Sequence, residues 1–363
     1  MAKVSIILPI YNVQEYLRQC LDSVVSQTLE DIEILCVNDG STDNSLEIIQ
    51  EYAARDSRIV VITGPNGGYG KAMNKGLDRA TGEYIGIVEP DDYVVPEMYE
   101  ELYHAAKEQD LDLVKADFYR FTTNEQGEES LQYELLDKEK KRYGELLFPA
   151  EDPSCLRFTL NTWSGIYRRA FLEKYAIRHN ETPGASFQDN GFFFQTFVYA
   201  QRAMILNKPY YRNRRDNPNS SVKSKEKVYC MNVEYDYIRD LLMRDRALWE
   251  RFQYMYWWKK YHNYLFTYGR IDDSYKAEYM SRMQQEYKRA MQLGQLSPEV
   301  FPKDEWNAVR NLVNQSTSLN HKLRSFGLAR KLSPYLPHPV KRFIIASLNL
   351  GLKAVKALKN KVR

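Results

Sequence analysis

At 363 residues, with 44% hydrophobic residues and 28 tyrosines, the chain is long enough for a catalytic-sized domain plus an appendage. Its net charge of +3 conceals an asymmetry: after Glu305 there are 12 Lys and Arg and no Asp or Glu, which leaves 39 basic and 48 acidic residues, net −9, before it. Cys20, Cys36, Cys155 and Cys230 lack the short spacings of zinc or redox sites and read as reduced thiols of a cytoplasmic protein. Met1-Ala2-Lys3-Val4 enters a strand at once, which argues against a secretory signal.

Val4–Ile10 is a continuous apolar run that predicts a buried parallel strand. Helical spacing of Tyr16, Leu17, Cys20, Leu21, Val24 and Val25 predicts a helix over 13–27. A second strand at 32–37, a turn at 38–43, a helix at 45–55 and a strand at 59–63 follow. The glycine-rich loop 64–70 precedes a helix at 71–80 and a strand, Tyr84-Ile85-Gly86-Ile87-Val88, that runs into Glu89-Pro90-Asp91-Asp92. This alternation predicts an α/β fold with a doubly wound, largely parallel sheet, in which ligands bind beyond the carboxyl ends of the strands. Tyr11 and Asn12, Asp39, the loop 67–70 and Glu89–Asp92 all follow strand ends and are expected on one rim.

Further on, 113–121 reads as a strand, 122–141 as an exposed loop or hairpin, and 161–172 and 184–200 as structured segments. From 226 to about 293 the chain is helical and aromatic, and aromatics at helical spacing read first as a packing face. The expected division is a catalytic domain over 1–222, a helical domain over 223–333 and a basic amphipathic helix over 334–363.

The glycine loop lacks the Lys-Ser/Thr ending of a phosphate loop, and no Gly-x-Gly-x-x-Gly follows the first strand. Tyr11 offers a face for a nucleobase and Asp39 an acceptor for an imide N–H, which suits uracil; a core aromatic and a helix cap are the alternatives. The three carboxylates in four positions at Glu89–Asp92 repel one another unless a cation or sugar hydroxyls sit among them, so they read either as a divalent metal site or as a polar loop.

The stretches Pro9-Ile10-Tyr11-Asn12, Val37-Asn38-Asp39-Gly40-Ser41-Thr42-Asp43 and Gly82-Glu83-Tyr84-Ile85 before Glu89-Pro90-Asp91-Asp92 resemble family 2 glycosyltransferases, nucleotide-sugar-dependent enzymes of the GT-A fold. The resemblance covers roughly residues 1–220. It implies that Pro9, Tyr11, Asn12, Asp39 and Gly68 bind the donor nucleotide, with Lys71 and Asn74 approaching base or diphosphate. Met73 stands where the family usually has arginine. Glu89 and Asp91 are implied as ribose or sugar contacts, and Asp91 or Asp92 as ligand of Mn²⁺ or Mg²⁺; Glu89 replaces the family's aspartate. The family's Glu-Asp pair matches Gln188-Asp189, which makes Asp189 the implied catalytic base, with an N-cap as the alternative. Trp163, Ser164, Gly165 and Gln188 are implied in the sugar and acceptor pocket, and Arg212 or Arg214 on the diphosphate; a buried Trp and a solvated basic loop compete with these.

The resemblance implies inversion in a single in-line displacement from a nucleotide sugar, UDP-linked, to a glycan or lipid-linked acceptor. Apolar residues at helical spacing in the basic tail fit a helix lying on an anionic membrane surface, so a cytoplasmic enzyme peripheral to the inner face is one expectation. Docking on the catalytic domain or on a second copy in a homo-oligomer is the other, and no module for nucleic acid accompanies the charge. The rival classes are a nucleotidyltransferase, which lacks its basic triphosphate loop here, and a non-catalytic scaffold, left open by Glu89 and Gln188.

Overall fold

The computed structural model describes residues 2–314 apart from 186, 221–223 and 226. The expected tail helix over 334–363 lies outside the described residues. The first half follows the predicted alternation: β1 (Val4–Ile10), α1 (Gln14–Val25), β2 (Ile32–Asn38), α2 (Ser45–Ala53), β3 (Ile59–Thr63), α3 (Tyr69–Arg79) and β4 (Tyr84–Ile87). All seven residues of β1 are buried, as its unbroken apolar run requires of a strand covered on both faces. α1 turns Leu17, Cys20, Leu21 and Val24 inward, one stripe at three- and four-residue spacing.

Then come β5 (Tyr93–Val94), α4 (Met98–Glu108), β6 (Leu113–Thr123), β7 (Glu129–Glu134), β8 (Gly165–Arg168), α5 (Arg169–Lys174), α6 (Asp189–Tyr199) and β9 (Ala203–Arg214). Among the described residues the sheet runs β3-β2-β1-β4-β8-β6-β9-β5, with β7 beside β6. β3, β2, β1 and β4 are parallel, but β8 is antiparallel to both β4 and β6, and β5 is antiparallel to β9. The sheet is therefore mixed, not largely parallel: β8 enters without a helical crossover, and such a strand pairs antiparallel. The 122–141 stretch supplies the hairpin strand β7.

A register shift between Ala116 and Phe118 divides the parallel β6–β9 ladder in two. It arises at Asp117, buried and accepting from the backbone N–H of Leu136 at 2.7 Å and the hydroxyls of Tyr143 at 2.7 Å and Tyr133 at 2.9 Å. Beyond the shift, Tyr211–Arg214 lie between Phe118–Phe121 and the short β5. That brings the end of β9 against the acidic loop between β4 and β5.

The remaining helices are α7 (Cys230–Leu242), α8 (Arg246–Arg270), α9 (Asp273–Gln292) and α10 (Lys303–Asn314). The chain divides into two compact units, 1–221 with 233–252, and 222–232 with 253 onward. In the second, Tyr256, Trp257, Tyr261 and Tyr264 are buried, the packing role expected of them. The ammonium of Lys260 pairs with Glu286 at 2.8 Å and lies over the rings of Tyr256, Trp257 and Tyr264. Among the described residues no helix is long and apolar enough to cross a membrane.

Candidate active site

The loops that follow β1 and β2 are knitted together. Asn12 has φ 46°, the left-handed region that asparagine tolerates. Its N–H donates to Ser41 Oγ at 3.1 Å, and its Oδ1 accepts the Thr42 N–H at 2.7 Å. Tyr11 beside it is 50% exposed, so its ring is presented to solvent and is not a core aromatic. Pro9 lies within β1 on the side that faces β4, where the ladder has already ended at Ile7–Ile87, so its missing N–H leaves no bond unmade.

Asp39 is buried with both oxygens on the glycine loop: Oδ1 and Oδ2 accept the Gly67 N–H at 3.0 and 3.1 Å, and Oδ2 accepts the Gly68 N–H at 2.8 Å. Lys75 stands 3.7 Å from Oδ1. Asp39 therefore holds the entry to α3 and does not cap the helix near Asp43, whose own carboxylate accepts from Ser45 and Gln14. Gly68, at φ 87°, opens α3, and a side chain there would strike Gly184 N at 2.7 Å. Lys71 is exposed and Met73 is fully buried, so the missing arginine is replaced by a core residue. Lys75 is the cation that sequence reasoning missed. One turn beyond Lys71 on the same helix, its i, i+4 spacing was the available signal.

Asn74 departs from its implied role at the donor. It is buried, with Nδ2 donating to His179 O at 3.0 Å and Glu181 Oε1 at 2.9 Å while Oδ1 accepts the His179 N–H at 2.9 Å. Its amide straps the 179–181 segment to α3.

The acidic loop divides its labour. Tyr69 OH donates to Glu89 Oε1 at 2.7 Å. Burial pushes the Glu89 carboxyl up to about 8; the Tyr69 bond opposes this, while the charges of Asp91 and Asp189 add to it. Asp91 is half-buried, with Oδ2 accepting from Asn217 Nδ2 at 2.8 Å. Asp92 is 2% exposed and accepts three hydrogen bonds: Tyr211 OH at 2.9 Å and Asn213 Nδ2 at 3.0 Å on Oδ2, and the Arg214 N–H at 2.6 Å on Oδ1. Asp92, implied with Asp91 as a metal ligand, is tied by these bonds to β9. Tyr211 OH also accepts the Glu89 N–H at 2.9 Å, so one hydroxyl fixes both ends of the loop.

Asp189 is the first residue of α6, and its Oδ1 accepts from Asn190 N, one of the N–H groups of the helix's first turn, at 3.0 Å and from Asn190 Nδ2 at 3.1 Å. Burial raises its pKa, with the Asn190 bonds acting in the opposite direction. Its charge acts on both Glu89 and Tyr69, which puts the two ends of the implied reaction centre in electrostatic contact. Phe187, two residues before it, is left-handed at φ 67°, a conformation that phenylalanine rarely adopts and that an over-determined site can hold. Gln188 is buried and its Nε2 donates toward Thr182 O, Thr182 Oγ1 and Gly184 O. Two of these are carbonyl oxygens, which a glutamate could not serve, so Gln188 anchors the loop.

Trp163 is partly exposed, stacked on Tyr211 with centroids 4.2 Å apart and edge-on to Phe118. Ser164 and Gly165 are buried behind it: Ser164 Oγ donates to Asn161 Oδ1 at 2.8 Å, and a side chain at Gly165 would meet Val114 O at 2.2 Å. Beneath them Lys115, 1% exposed, donates to Asn161 Oδ1 at 2.8 Å and O at 3.1 Å, and burial lowers its pKa to about 7. An unfolded lysine titrates at about 10.4, so between about pH 7 and 10 the unfolded chain binds the extra proton and stability rises with pH. Lys115→Met is expected to flatten that rise in urea unfolding at pH 7 and 9.5; an unchanged slope would place its origin elsewhere.

Arg212 and Arg214 are also engaged within the protein. Arg212 stacks over Tyr119 and donates to Pro209 O at 2.5 Å. Arg214 lies between the rings of Tyr16 and Phe121, and its Nε donates to Asp91 O at 2.9 Å. It shapes the acidic loop from behind.

Among the described residues no three His, Cys, Asp or Glu side chains gather into a metal-enclosing group. The donor set still suits a hard divalent ion shared with a diphosphate, which needs only one or two carboxylates. Asp91 keeps one oxygen outside its Asn217 bond, and Glu89 lies close enough for the two charges to raise its pKa.

Comparison with known proteins agrees with this geometry. Residues 5–174 match the model of glycosyl transferase family 2. The chain is 39% identical over 220 residues to the uncharacterized glycosyltransferase EpsJ of Bacillus subtilis, covering 60% of this chain and 62% of that one. It is 31% identical over 244 residues to the uncharacterized glycosyltransferase YibD of Escherichia coli, covering 65% and 68%. For two further relatives, from Streptococcus pneumoniae and B. subtilis, the match spans 30% and 60% of their lengths. Among solved structures, residues 1–349 of S. aureus TarS superpose with a TM-score of 0.59 at 21% identity, over 79% of this chain and 80% of that one, a likeness of fold. The mixed sheet is thus the GT-A sheet, and with the acidic loop at the end of β4 and the matches to EpsJ and YibD it shows that the chain belongs to glycosyltransferase family 2.

Proposed function

We propose that this protein is a metal-dependent, inverting glycosyltransferase that moves a sugar from a nucleotide sugar to an acceptor hydroxyl. The observation that carries the reading is that the charge of Asp189 acts on Glu89 across a hundred residues of sequence, beside an acidic loop with a carboxylate oxygen to offer. Tyr11, Asn12, Asp39 and Gly68 form the nucleotide end, with Lys75 and exposed Lys71 as the nearest positive charges. A Mn²⁺ or Mg²⁺ ion held by Asp91, with Glu89 beside it, would offset the charge that develops on the departing diphosphate. Asp189 takes the proton of the acceptor hydroxyl as its oxygen attacks the anomeric carbon from the opposite face. Trp163 offers an apolar ring to the sugar.

TarS has been crystallised with UDP and with UDP-GlcNAc, which makes uridine nucleotide sugars the first donors to test. A panel of nucleotide sugars with Mn²⁺, read by release of the nucleoside diphosphate, tests the proposal; no release with any donor and a broad set of glycan and lipid-linked acceptors would overturn it. The anchoring bonds of Gln188 and the Tyr69 bond to Glu89 support the catalytic reading over a scaffold role. The basic segment 334–363 supports contact with an anionic membrane surface. Full-length protein is expected to co-sediment with anionic liposomes at low salt and a chain truncated before 334 to remain in solution; equal behaviour of the two would reject it.

A further inference from the structure

We infer that Glu234, on α7, is a positioning residue that fixes both the helix carrying Asp189 and the strap that rests on the donor side of the site. The inference rests on Asp189 being the base. Glu234 is 1% exposed and lies in the same compact unit as Asp189. Its Oε1 accepts the Gly191 N–H at 2.9 Å, and its Oε2 accepts from Asn180 Nδ2 at 3.0 Å.

Gly191 is the third residue of α6, so Glu234 accepts from another helix an N–H of its first turn. A side chain at position 191 would come within 2.2 Å of Glu234 Oε1, so glycine there is what lets the carboxylate reach the backbone. Asn180 belongs to the segment that Asn74 ties to α3, and its carbonyl oxygen lies so close to Gly70 that an added Cβ would stand 2.0 Å away. One carboxylate therefore holds the start of the base-bearing helix and, through Asn180, the segment packed on α3. Among the described residues no cation pairs with it: the charge that acts on it is that of Asp189 on α6, and its own charge acts on Tyr237 one turn along α7. Burial, the larger cause, and the Asp189 charge push its carboxyl up to about 7. A buried acid without a cationic partner is a costly feature for packing alone.

Glu234→Ala, Glu234→Asp and Glu234→Gln in the full chain test this, with kcat and donor KM measured separately. Glu234→Ala should lower kcat by about 10–100-fold, the scale of a small misplacement of a catalytic group, with donor KM within about threefold. Glu234→Asp, one methylene too short to reach both partners, should fall in the same direction and carries the test should the alanine variant not fold. Glu234→Gln keeps an acceptor for Gly191, and Asn180 can turn its amide to meet it, so kcat should recover to within about fivefold of wild type. In an Asp189→Asn background Glu234→Ala should add no further loss. Wild-type kcat in folded Glu234→Ala or Glu234→Asp, equal loss with Gln and Ala, or an additive loss in the double variant would overturn the positioning role. If Asp189→Asn alone turned over normally, the base assignment would fall and this inference with it; a normal loss there with full activity in Glu234→Ala removes only the inference.

Discussion

Asp189→Asn is expected to lower kcat by about 10²–10⁴-fold while leaving nucleotide binding close to wild type, the range a positioned general base supplies. Asparagine keeps the size and the Asn190 contact but cannot take a proton. The pH profile should carry the same signature. Burial raises the Asp189 pKa, so its basic form is lost on acidification at a higher pH than an exposed aspartate would show. The acid limb of kcat is therefore expected above the ordinary aspartate range, and it should vanish in Asp189→Asn. Retained turnover or a limb unmoved by the substitution would put the base at another residue.

The second large effect separates two adjacent carboxylates. Asp91→Ala should weaken metal-dependent donor binding by at least about 10–100-fold, the range that even outer-shell partners of a metal command, with little change in thermal stability. Asp92→Ala should do the reverse. It strips three hydrogen-bond donors of a buried acceptor and is expected to cost about 3 kcal/mol or more of stability, since each orphaned buried group costs about 1–3 kcal/mol. Nucleotide titration with and without Mn²⁺, beside thermal melts of each variant, reads both. Unchanged donor affinity in Asp91→Ala would remove the metal assignment, and an unshifted melt in Asp92→Ala would remove its anchoring role.

The parallel half of the sheet was legible because its strands are unbroken apolar runs and each helix carries one inward stripe. The rim followed from the same pattern, since Tyr11, Asp39 and Glu89 stand at strand ends whatever the details of packing. What sequence could not give were bonds between segments far apart in the chain. Ser164, Gly165, Asn74 and Arg214 match family motifs, yet tertiary partners engage each of them behind the site. Asp91 and Asp92 are indistinguishable as letters; only the return of β9 decides which one is buried. The antiparallel entry of β8 was equally silent, because four residues, three of them buried, read the same in either direction. Gln188 shows the converse: a departure from the family pattern becomes explicable once its three acceptors are known.

Lys115 has a use beyond its packing. Its lowered pKa lasts only while burial holds it, so a transiently exposed Lys115 reacts as an ordinary lysine. Its seclusion keeps acylating reagents away while the sheet is closed. Its rate of modification, followed by mass spectrometry, would therefore count the transient openings of the middle of the sheet and serve as a built-in clock for local unfolding.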